Sequence, residues 1–220
     1  MRLILFLFIF VGCSGYRFTQ QDNPLAQYGV QSLSVPMFYN YSNLPDVSGD
    51  FTRETYRLLT GFSGLKLISG YDQNADAVLI GIIKTPEKVA ETLRPMNLIV
   101  ASGRAKNAVE NREFQGKKRG SFYIPGASDM SLSLQVVLIK KPSEEELALL
   151  KSGIGDQINF NSKILLNETL PLRTTYTHEV LDDQGVDVIG TQNAGIQRKT
   201  LKGLAEQAAI SVRDMILYAF

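Results

Sequence analysis

The chain has 220 residues, of which 44% are hydrophobic and 20% are charged, and its formal net charge is +1. This balance argues against nucleic-acid binding, which favours a clearly basic domain, and the length suits one domain or a small pair. A single cysteine and a single histidine exclude an internal disulfide and cannot supply the two or three imidazole or thiolate ligands of a typical catalytic zinc site. We therefore expect no metal site.

The N-terminus has the pattern of a secretion signal. Met1-Arg2 is followed by nine apolar residues, 3–11, the length of a signal-peptide core and too short to cross a bilayer, which needs about 20 residues. The sequence FVGC ending at Cys13 is similar to a lipobox, although leucine is usual where Phe10 stands. We predict a signal peptide over 1–12 and lipidation of the Cys13 thiol. The alternative is a plain secretory signal with a chance cysteine.

The residues after Cys13 predict to which membrane the protein is sorted and how the domain is tethered there. By resemblance to enterobacterial sorting, aspartate after the lipidated cysteine would retain the protein in the inner membrane, whereas Ser14 favours the outer membrane on its periplasmic side. Residues 13–30 are polar with scattered aromatics and predict a lipidated tether. One folded domain is then expected over 31–220.

The first half of that domain predicts a strand, a helix and two more strands. Alternating apolar residues over 33–37 indicate the first strand, and 39–46 is a turn-rich loop. A helix is predicted over about 48–60 from apolar positions at helical spacing, namely Phe51, Thr55, Leu58, Leu59 and Phe62. Strands are predicted over 65–69 and 75–84, and the continuous apolar character of the second suits the middle of a sheet.

The next segment, about 85–129, predicts a long irregular insertion, because 45 residues between strands are unusual in a compact domain. Its part 101–126 has six basic and two acidic residues, a net charge of +4. The basic residues are Arg104, Lys106, Arg112, Lys117, Lys118 and Arg119. With nearby aromatics they would suit a phosphorylated amphiphile, because charge-assisted hydrogen bonds hold phosphate. The alternative is a solvated loop, with the ligand near Lys140 and Lys141 instead.

The second half predicts strands over 130–139 and 170–180 and a closing helix over about 197–219 with one apolar stripe. Residues 186–189 could pair back as a hairpin strand. Between the strands, SEEELALLK predicts a short helix that Ser143 caps and Glu146 completes as a capping box. These elements predict an α/β (α+β) fold, a two-layer sandwich of a four- to five-stranded mixed sheet with two main helices packed on one face.

Catalytic patterns are absent from the sequence. His178-Glu179 begins like a zinc-protease HExxH motif, but Asp182 stands at the fifth position and the segment predicts a strand. Gly153-Ile154-Gly155 lacks the third glycine of a dinucleotide loop. We find no nucleophile–base pair, and therefore expect no catalytic residue, no cofactor and no enzymatic activity.

The order of features resembles the lipopolysaccharide-assembly lipoprotein family, LptE. A lipobox followed by GYRF, the strand SLSVPMFYNYS, the helix DFTRETYRLLTG, the strand NADAVLIGII and a long final helix carry the resemblance, which covers about 13–84 and 130–220. It implies a sandwich that plugs the lumen of a large outer-membrane barrel of the LptD type, assists its assembly, and binds lipopolysaccharide on its way to the cell surface. The long 85–129 segment departs from that compact pattern.

A second hypothesis belongs to a different functional class. Small α/β domains on lipid tethers also regulate peptidoglycan synthases by protein contact. Such regulators need a long tether to cross the periplasm, whereas about 16 residues separate Cys13 from the first predicted strand. At about 3.5 Å per residue these reach about 55 Å, which favours action at the membrane.

Overall fold

The computed structural model describes residues 21–86, 93–100, 123–151, 163–179 and 186–220. Helical and strand elements follow one another along the described ranges. In chain order they are β1 (Gln21–Asp22), a 3-10 helix (Pro24–Tyr28), β2 (Ser32–Val35), β3 (Tyr39–Tyr41), α1 (Val47–Leu59), β4 (Phe62–Ser63), β5 (Lys66–Ser69), β6 (Ala77–Lys84), β7 (Leu93–Val100), β8 (Tyr123–Lys140), α2 (Glu144–Lys151), β9 (Ile164–Thr177) and α3 (Val186–Ala219).

A mixed seven-stranded sheet forms the centre of the molecule. Its main order is β5-β2-β6-β8-β7, while β3 pairs with β6 and β9 pairs with β8. The pairs among β2, β3, β5 and β6 are parallel, and β8 pairs antiparallel with β6, β7 and β9. The separate pair of β1 and β4 is parallel. The predicted α+β class with a mixed sheet is confirmed.

The two main helices, α1 and α3, pack on one face of the sheet, as predicted. Alternate residues of β8 from Met130 to Leu138 share a core with Phe51 and Leu59 of α1 and with Leu204 and Val212 of α3. The opposite face carries a smaller core in which Val78, Ile80, Ile82, Val137 and Ile139 meet Leu147 of α2. Seven of the eight residues of β6 are buried, because this strand is covered on both faces.

The number of strands was underestimated. The sheet has seven strands rather than four or five, and the additional ones are β3 and β7. Strand β3 is not predicted because residues 39–46 have a turn-rich composition. In the structure Tyr39 and Asn40 of β3 are half-buried and pair with β6. Strand β7 is not predicted because Pro95 lies in its centre and proline cannot donate a ladder hydrogen bond. The proline is tolerated because β7 pairs with β8 alone among the described strands.

The prediction of an irregular segment over 85–129 was wrong for residues 93–100 and 123–129. Residues 93–100 form β7, and residues 123–129 lengthen β8 beyond the predicted start at residue 130. The two pair antiparallel from Leu93–Met130 to Val100–Tyr123. Residues 93–100 and 123–129 are therefore neighbouring antiparallel strands, and the basic residues from Arg104 to Arg119 fall outside the described residues.

The prediction of a tether over 13–30 was wrong for its last ten residues. Leu25 and Val30 are fully buried in the main core. Asn23 starts the 3-10 helix, where its side chain accepts a hydrogen bond from the Leu25 N–H, and Pro24 provides a favourable first residue. Gly29 ends the helix with a φ of 70°, a conformation that suits glycine. The folded domain thus begins no later than Gln21, eight residues after Cys13.

The final helix is longer than predicted, and the predicted hairpin strand over 186–189 was wrong. These residues form the first turn of α3, which continues without interruption to Ala219. The alternation in VDVI resembles a strand, but no proline interrupts the chain from there to the predicted helix. Continuing the helix satisfies the backbone hydrogen bonds of this segment.

The other predicted elements are confirmed with small shifts of their ends. Helix α1 begins and ends one residue before its predicted limits, and β5 and β6 lie where the apolar runs placed them. The capping box of α2 forms as predicted: the Glu146 N–H donates to the Ser143 hydroxyl at 3.3 Å, and the Ser143 N–H donates to the Glu146 carboxylate at 2.7 Å.

Candidate functional site

The residues predicted to carry function all lie outside the described residues. These are Cys13, Arg104, Lys106, Arg112, Lys117, Lys118 and Arg119. Lipidation and ligand binding therefore stay predictions. The structure does show which described residues adjoin these segments in the chain. Gln21 is the first described residue after Cys13, and Val100 and Tyr123 are the last described pair of the hairpin on either side of the basic segment.

We call the end of the domain that holds Gln21, the first described residue after Cys13, the anchor end, and define it by Gln21, Tyr28, Asp76, Lys140 and Phe220. Gln21 pairs with Phe62 just before β5, whose first residue pairs with the first residue of β2. The rings of Tyr28 and Phe220 meet edge to face with their centroids 4.9 Å apart. The Lys140 ammonium donates to the Tyr28 carbonyl at 2.6 Å. The starts of β2, β5 and β6 and the ends of β8 and α3 therefore lie at one end.

Asp76 is the polar centre of the anchor end. One carboxylate oxygen accepts hydrogen bonds from the Gln31 N–H at 3.0 Å, the Ser32 N–H at 2.9 Å and the Ser32 hydroxyl at 2.8 Å. The Ser32 hydroxyl oxygen in turn accepts from the Asp76 N–H. The Ser32 hydroxyl, the Gln31 N–H and the nearby charge of Lys141 hold the pKa of Asp76 below its usual value. This cluster fixes the loop before β6 to the start of β2.

Lys140 and Lys141, the alternative ligand site of the sequence reasoning, have different environments here. Lys140 is half-buried and holds the Tyr28 carbonyl, so it completes the end of the 3-10 helix. Lys141 is exposed with a φ of 46°, and its N–H donates to the Asp76 carbonyl at 3.0 Å. The two ammonium groups thus do not form a shared anion site. Their main role in the described structure is to join the end of β8 to β6 and the 3-10 helix.

Aromatic residues gather at the anchor end, a feature that sequence reasoning missed. Tyr28 is 40% exposed and Tyr218, in the last turn of α3, is 88% exposed. Phe220 is half-buried, and its carbonyl accepts a hydrogen bond from the Gln27 side chain at 2.5 Å. The sequence signal for this turn of helix is the motif LAQYG directly after Pro24, within the segment 13–30 that predicts a tether.

We call the opposite end the far end, and define it by Val100, Tyr123, His178, Glu179 and Val186. Lys140 at the anchor end and Ala127 near the far end lie on the same strand, β8, separated by about 13 residues or about 44 Å at about 3.4 Å per residue. Helix α3 has 34 residues, which at about 1.5 Å each gives about 51 Å. The domain is therefore long, and Gln21, the first described residue after Cys13, lies at its anchor end.

His178 lies at the far end in a polar contact. Its Nε2 atom is 2.7 Å from the Ser128 hydroxyl, and its ring centroid is 5.0 Å from that of Tyr176. Burial raises the pKa of Tyr176. Ser128 is itself buried, with 7% exposure, so the hydroxyl is held within the sheet–helix layer. The arrangement explains how a lone histidine is accommodated at the end of β9.

An open groove lies beside His178, between the end of β9 and the first turns of α3. Its volume is about 500 Å³, and it is lined by Glu179, Gln192, Gly195, Ile196 and Lys199. The Asn193 side chain joins the two walls, because it accepts from the Glu179 N–H at 2.8 Å and donates to the Glu179 carbonyl at 3.0 Å. The lining residues carry one acidic and one basic group, and they suit no single charged ligand.

Arginines on α1 are neutralised by their own helix. Arg53 lies 2.6 Å from the Asp50 carboxylate, and Arg57 lies 2.8 Å from that of Glu54. The Arg57 guanidinium, together with Arg53, holds the pKa of the buried Glu54 below its usual value. This surface therefore offers little excess positive charge to an anionic ligand.

The described ranges hold neither a cluster of metal ligands nor a helix that could span a membrane. Within residues 21–86, 93–100, 123–151, 163–179 and 186–220, no group of three or more His, Cys, Asp or Glu side chains is placed to hold a metal ion. In the same ranges, no helix combines the length and the apolar character needed to cross a membrane.

No protein-family model matches the sequence, and no curated protein is similar to it. Among solved structures, the chain has a TM-score of 0.38 with a candidate lipoprotein from Caulobacter crescentus CB15, at 10% identity over 82% of this chain and 88% of that one. The rare lipoprotein B of Shewanella oneidensis gives 0.35 at 12% identity, over 86% and 92%. Lipoprotein GNA1162 of Neisseria meningitidis gives 0.33 at 10% identity, over 77% and 96%. At these TM-scores the likenesses are too weak to assign a family.

Proposed function

We propose that this protein is a lipoprotein of the outer membrane, lipidated on Cys13, that partners and plugs a β-barrel of the LptD type and assists the binding, transport and assembly of lipopolysaccharide. It acts as a stoichiometric partner with no turnover of its own. The lipobox and the family resemblance of the strands and helices support this function. The observation that carries it is that the fold has begun by Gln21, only eight residues after Cys13.

The short connection restricts where the domain can act. Eight residues at about 3.5 Å each reach no more than about 28 Å, half of what the sequence reasoning allowed. Two or more acyl chains on Cys13 would give stable anchoring, so the anchor end remains near the membrane surface. Regulation of a peptidoglycan synthase across the periplasm, the alternative function, would need a longer tether. The distance favours a partner in the same membrane.

The long shape of the domain suits a barrel lumen. Barrels of about 22 strands hold a plug inside the lumen, and the length of β8 and α3 exceeds the ~30 Å hydrocarbon core of a bilayer. Because the anchor end is held near the periplasmic leaflet, the far end would enter the lumen first. The hairpin of β7 and β8 and the first turns of α3 would then lie deepest in the barrel.

Lipopolysaccharide binding is assigned to the basic residues of 101–126. Lys and Arg bind phosphate oxygens more strongly than neutral donors do, and Lys117, Lys118 and Arg119 are consecutive. Exposed ion pairs contribute only about 0–1 kcal/mol each, so several must act together. The triple change of Lys117, Lys118 and Arg119 to glutamate should weaken binding of lipopolysaccharide markedly, single changes should do little, and added salt should weaken wild-type binding. Binding that is indifferent to both the triple change and salt would contradict this site.

The partnership is tested by gentle purification of the lipidated protein from its own membrane. We expect one large outer-membrane barrel in a fixed ratio to the protein, and incorporation of labelled palmitate into wild type but not into Cys13→Ala. A peptidoglycan synthase as the dominant partner would support the alternative function. Continued palmitate labelling of Cys13→Ala would contradict the lipidation site.

A further inference from the structure

The aromatic residues at the anchor end form a surface that the proposed plug function does not explain. Tyr218 is 88% exposed, the largest exposure among the bulky hydrophobic residues of the described chain, and Tyr28 is 40% exposed. The Tyr28 ring contacts that of Phe220, and the Gln27 side chain holds the Phe220 carbonyl. These contacts fix Phe220, one residue after the end of α3, in a defined position. Three aromatic rings are thus presented from one end of a long domain.

We propose that this aromatic cluster, Tyr28, Tyr218 and Phe220, seats the anchor end on the lipid surface that holds the acylated Cys13. The inference rests on the lipidation of Cys13 in the proposed function. Tyrosine is enriched where membranes meet water, because its ring is apolar and its hydroxyl is polar. The occupant is the phospholipid interface itself, at the level of the headgroups.

The short chain between Cys13 and the fold favours the lipid surface as the binding partner of this cluster. Gln21 lies within about 28 Å of the membrane-embedded Cys13, and the 3-10 helix joins Gln21 directly to the Tyr28–Phe220 contact. A tether this short keeps the effective concentration of the lipid surface high. Even a weak preference of the three rings for the interface then populates the seated arrangement. The far end lies about 44 Å away along β8, so the headgroups that the cluster contacts do not reach it.

Charge does not drive the seating. Exposed cations of the anchor end, such as Lys66 and Lys141, are accompanied by exposed Asp22, Glu144 and Glu145. The acidic residues balance the basic ones, so attraction to anionic lipids is weak. Seating through aromatic rings should therefore be insensitive to salt, because screening acts on charges and not on apolar contacts.

The experiment uses the absence of tryptophan from the whole sequence. Two single-tryptophan variants of the full lipidated protein, Tyr218→Trp and the far-end control Met96→Trp, are reconstituted in vesicles of phosphatidylethanolamine and phosphatidylglycerol. Met96 is 39% exposed on β7, so neither substitution disturbs a buried position. Half of the lipids carry bromine high on the acyl chain, which quenches tryptophan at the interface.

We expect brominated lipid to lower the emission of Tyr218→Trp about twofold or more, as for a ring at headgroup level, and to leave Met96→Trp unchanged, at low and at high salt. Unquenched Tyr218→Trp in protein that floats with the vesicles would overturn the seating and leave the lipidation intact. Tryptophan at 218 that becomes shielded only when a copurified barrel is added would assign the cluster to that protein instead and also overturn it. Protein that carries no lipid and does not float would overturn the lipidation at Cys13 and the seating with it.

Discussion

The two ends of the sheet are held together in different ways. At the anchor end, contacts between residues distant in sequence are numerous: Asp76 binds β2, Lys140 binds the Tyr28 carbonyl, and Tyr28 and Gln27 contact Phe220. At the far end, the described connections include the Ser128–His178 contact and the two hydrogen bonds between Asn193 and Glu179. We call the anchor end the base and the far end the tip: the described contacts of the base also involve the 3-10 helix and the end of α3, whereas those of the tip join β8, β9 and the start of α3.

This difference fits a domain that is fixed at one end and offers the other to a partner. The long outer edge of β9 supports the same view. Among the described strands β9 pairs with β8 alone, and exposed Pro171 interrupts its outer edge, a device that discourages uncontrolled pairing.

The largest expected effect is that of Leu25→Ala. Leu25 is fully buried at the anchor end, and truncating such a side chain costs about 2–5 kcal/mol of unfolding free energy. Met37→Ala is the matched control, because Met37 is 65% exposed, and it should change stability by no more than about 0.5 kcal/mol. Denaturant unfolding measures both. Equal stabilities of the two variants would mean that residues 21–30 are a tether after all.

Asp76→Asn should have the next largest effect. The carboxylate accepts three hydrogen bonds, and loss of its charge should cost about 1–2 kcal/mol. Asp72→Asn is the control, because the Asp72 carboxylate bonds only within its own turn, to the Asn74 N–H and side chain. If both variants unfold alike, Asp76 does not hold the anchor end together.

The same carboxylate predicts a dependence on pH. The hydrogen bonds from Ser32 and Gln31 lower the pKa of folded Asp76 below its unfolded value, which is about 3.9. Its stabilisation is therefore complete above that unfolded pKa and is lost as pH falls through the folded one. Acid titration of stability should show a shallower loss below about pH 4 in Asp76→Asn than in wild type. Parallel titration curves would contradict the assignment.

Ser143→Ala should have a smaller effect, also at the anchor end. It removes the hydroxyl that accepts from the Glu146 N–H at the start of α2, and loss of such a cap costs about 1 kcal/mol. Glu145→Gln, at an exposed position of the same turn, should change stability by only a few tenths of a kcal/mol. Thermal unfolding of the two variants compares them. A cost for Glu145→Gln that matches that of Ser143→Ala would point to helix charge rather than capping.

The smallest effect is expected at the far end. Asn193→Ala removes both hydrogen bonds to Glu179, but the site is exposed, so global stability should fall by only about 0.5–1 kcal/mol. The amides of His178 and Glu179 should exchange with solvent faster, whereas those of Gln31 and Ser32 should not change. Hydrogen exchange measures this, with Gln192→Ala as the control. Faster exchange at both ends would remove the distinction between base and tip.

Much of the fold could be predicted because its signals are local. The apolar run of β6, the helical spacing of Phe51, Thr55 and Leu59, and the capping box of Ser143 and Glu146 are each visible in a short window, and each matches the structure. The elements that were missed depend on contacts distant in sequence. Leu25 shares its core with residues as distant in sequence as Ile216 of α3, 191 positions later, and β7 pairs with a β8 that extends to meet it.

The site could be predicted less well. The lipobox and the basic run are sequence patterns that do not depend on the fold, and their residues lie outside the described ranges. Tyr28 and Phe220 form one surface only after the chain has folded, since they are 192 positions apart in sequence. No spacing rule could have joined them. What sequence reasoning underestimated was how near to Cys13 the folded domain begins.

The central claim is that the domain is fixed to the membrane at one end and contacts a barrel with the other. Photo-reactive phenylalanine in living cells, placed in turn at Met96 near the far end and at Tyr218 at the anchor end, tests this most directly. We predict that the Met96 position traps a single large outer-membrane barrel and that the Tyr218 position traps lipid and no protein. Capture of a peptidoglycan synthase from Met96, or of the barrel from Tyr218 alone, would contradict it.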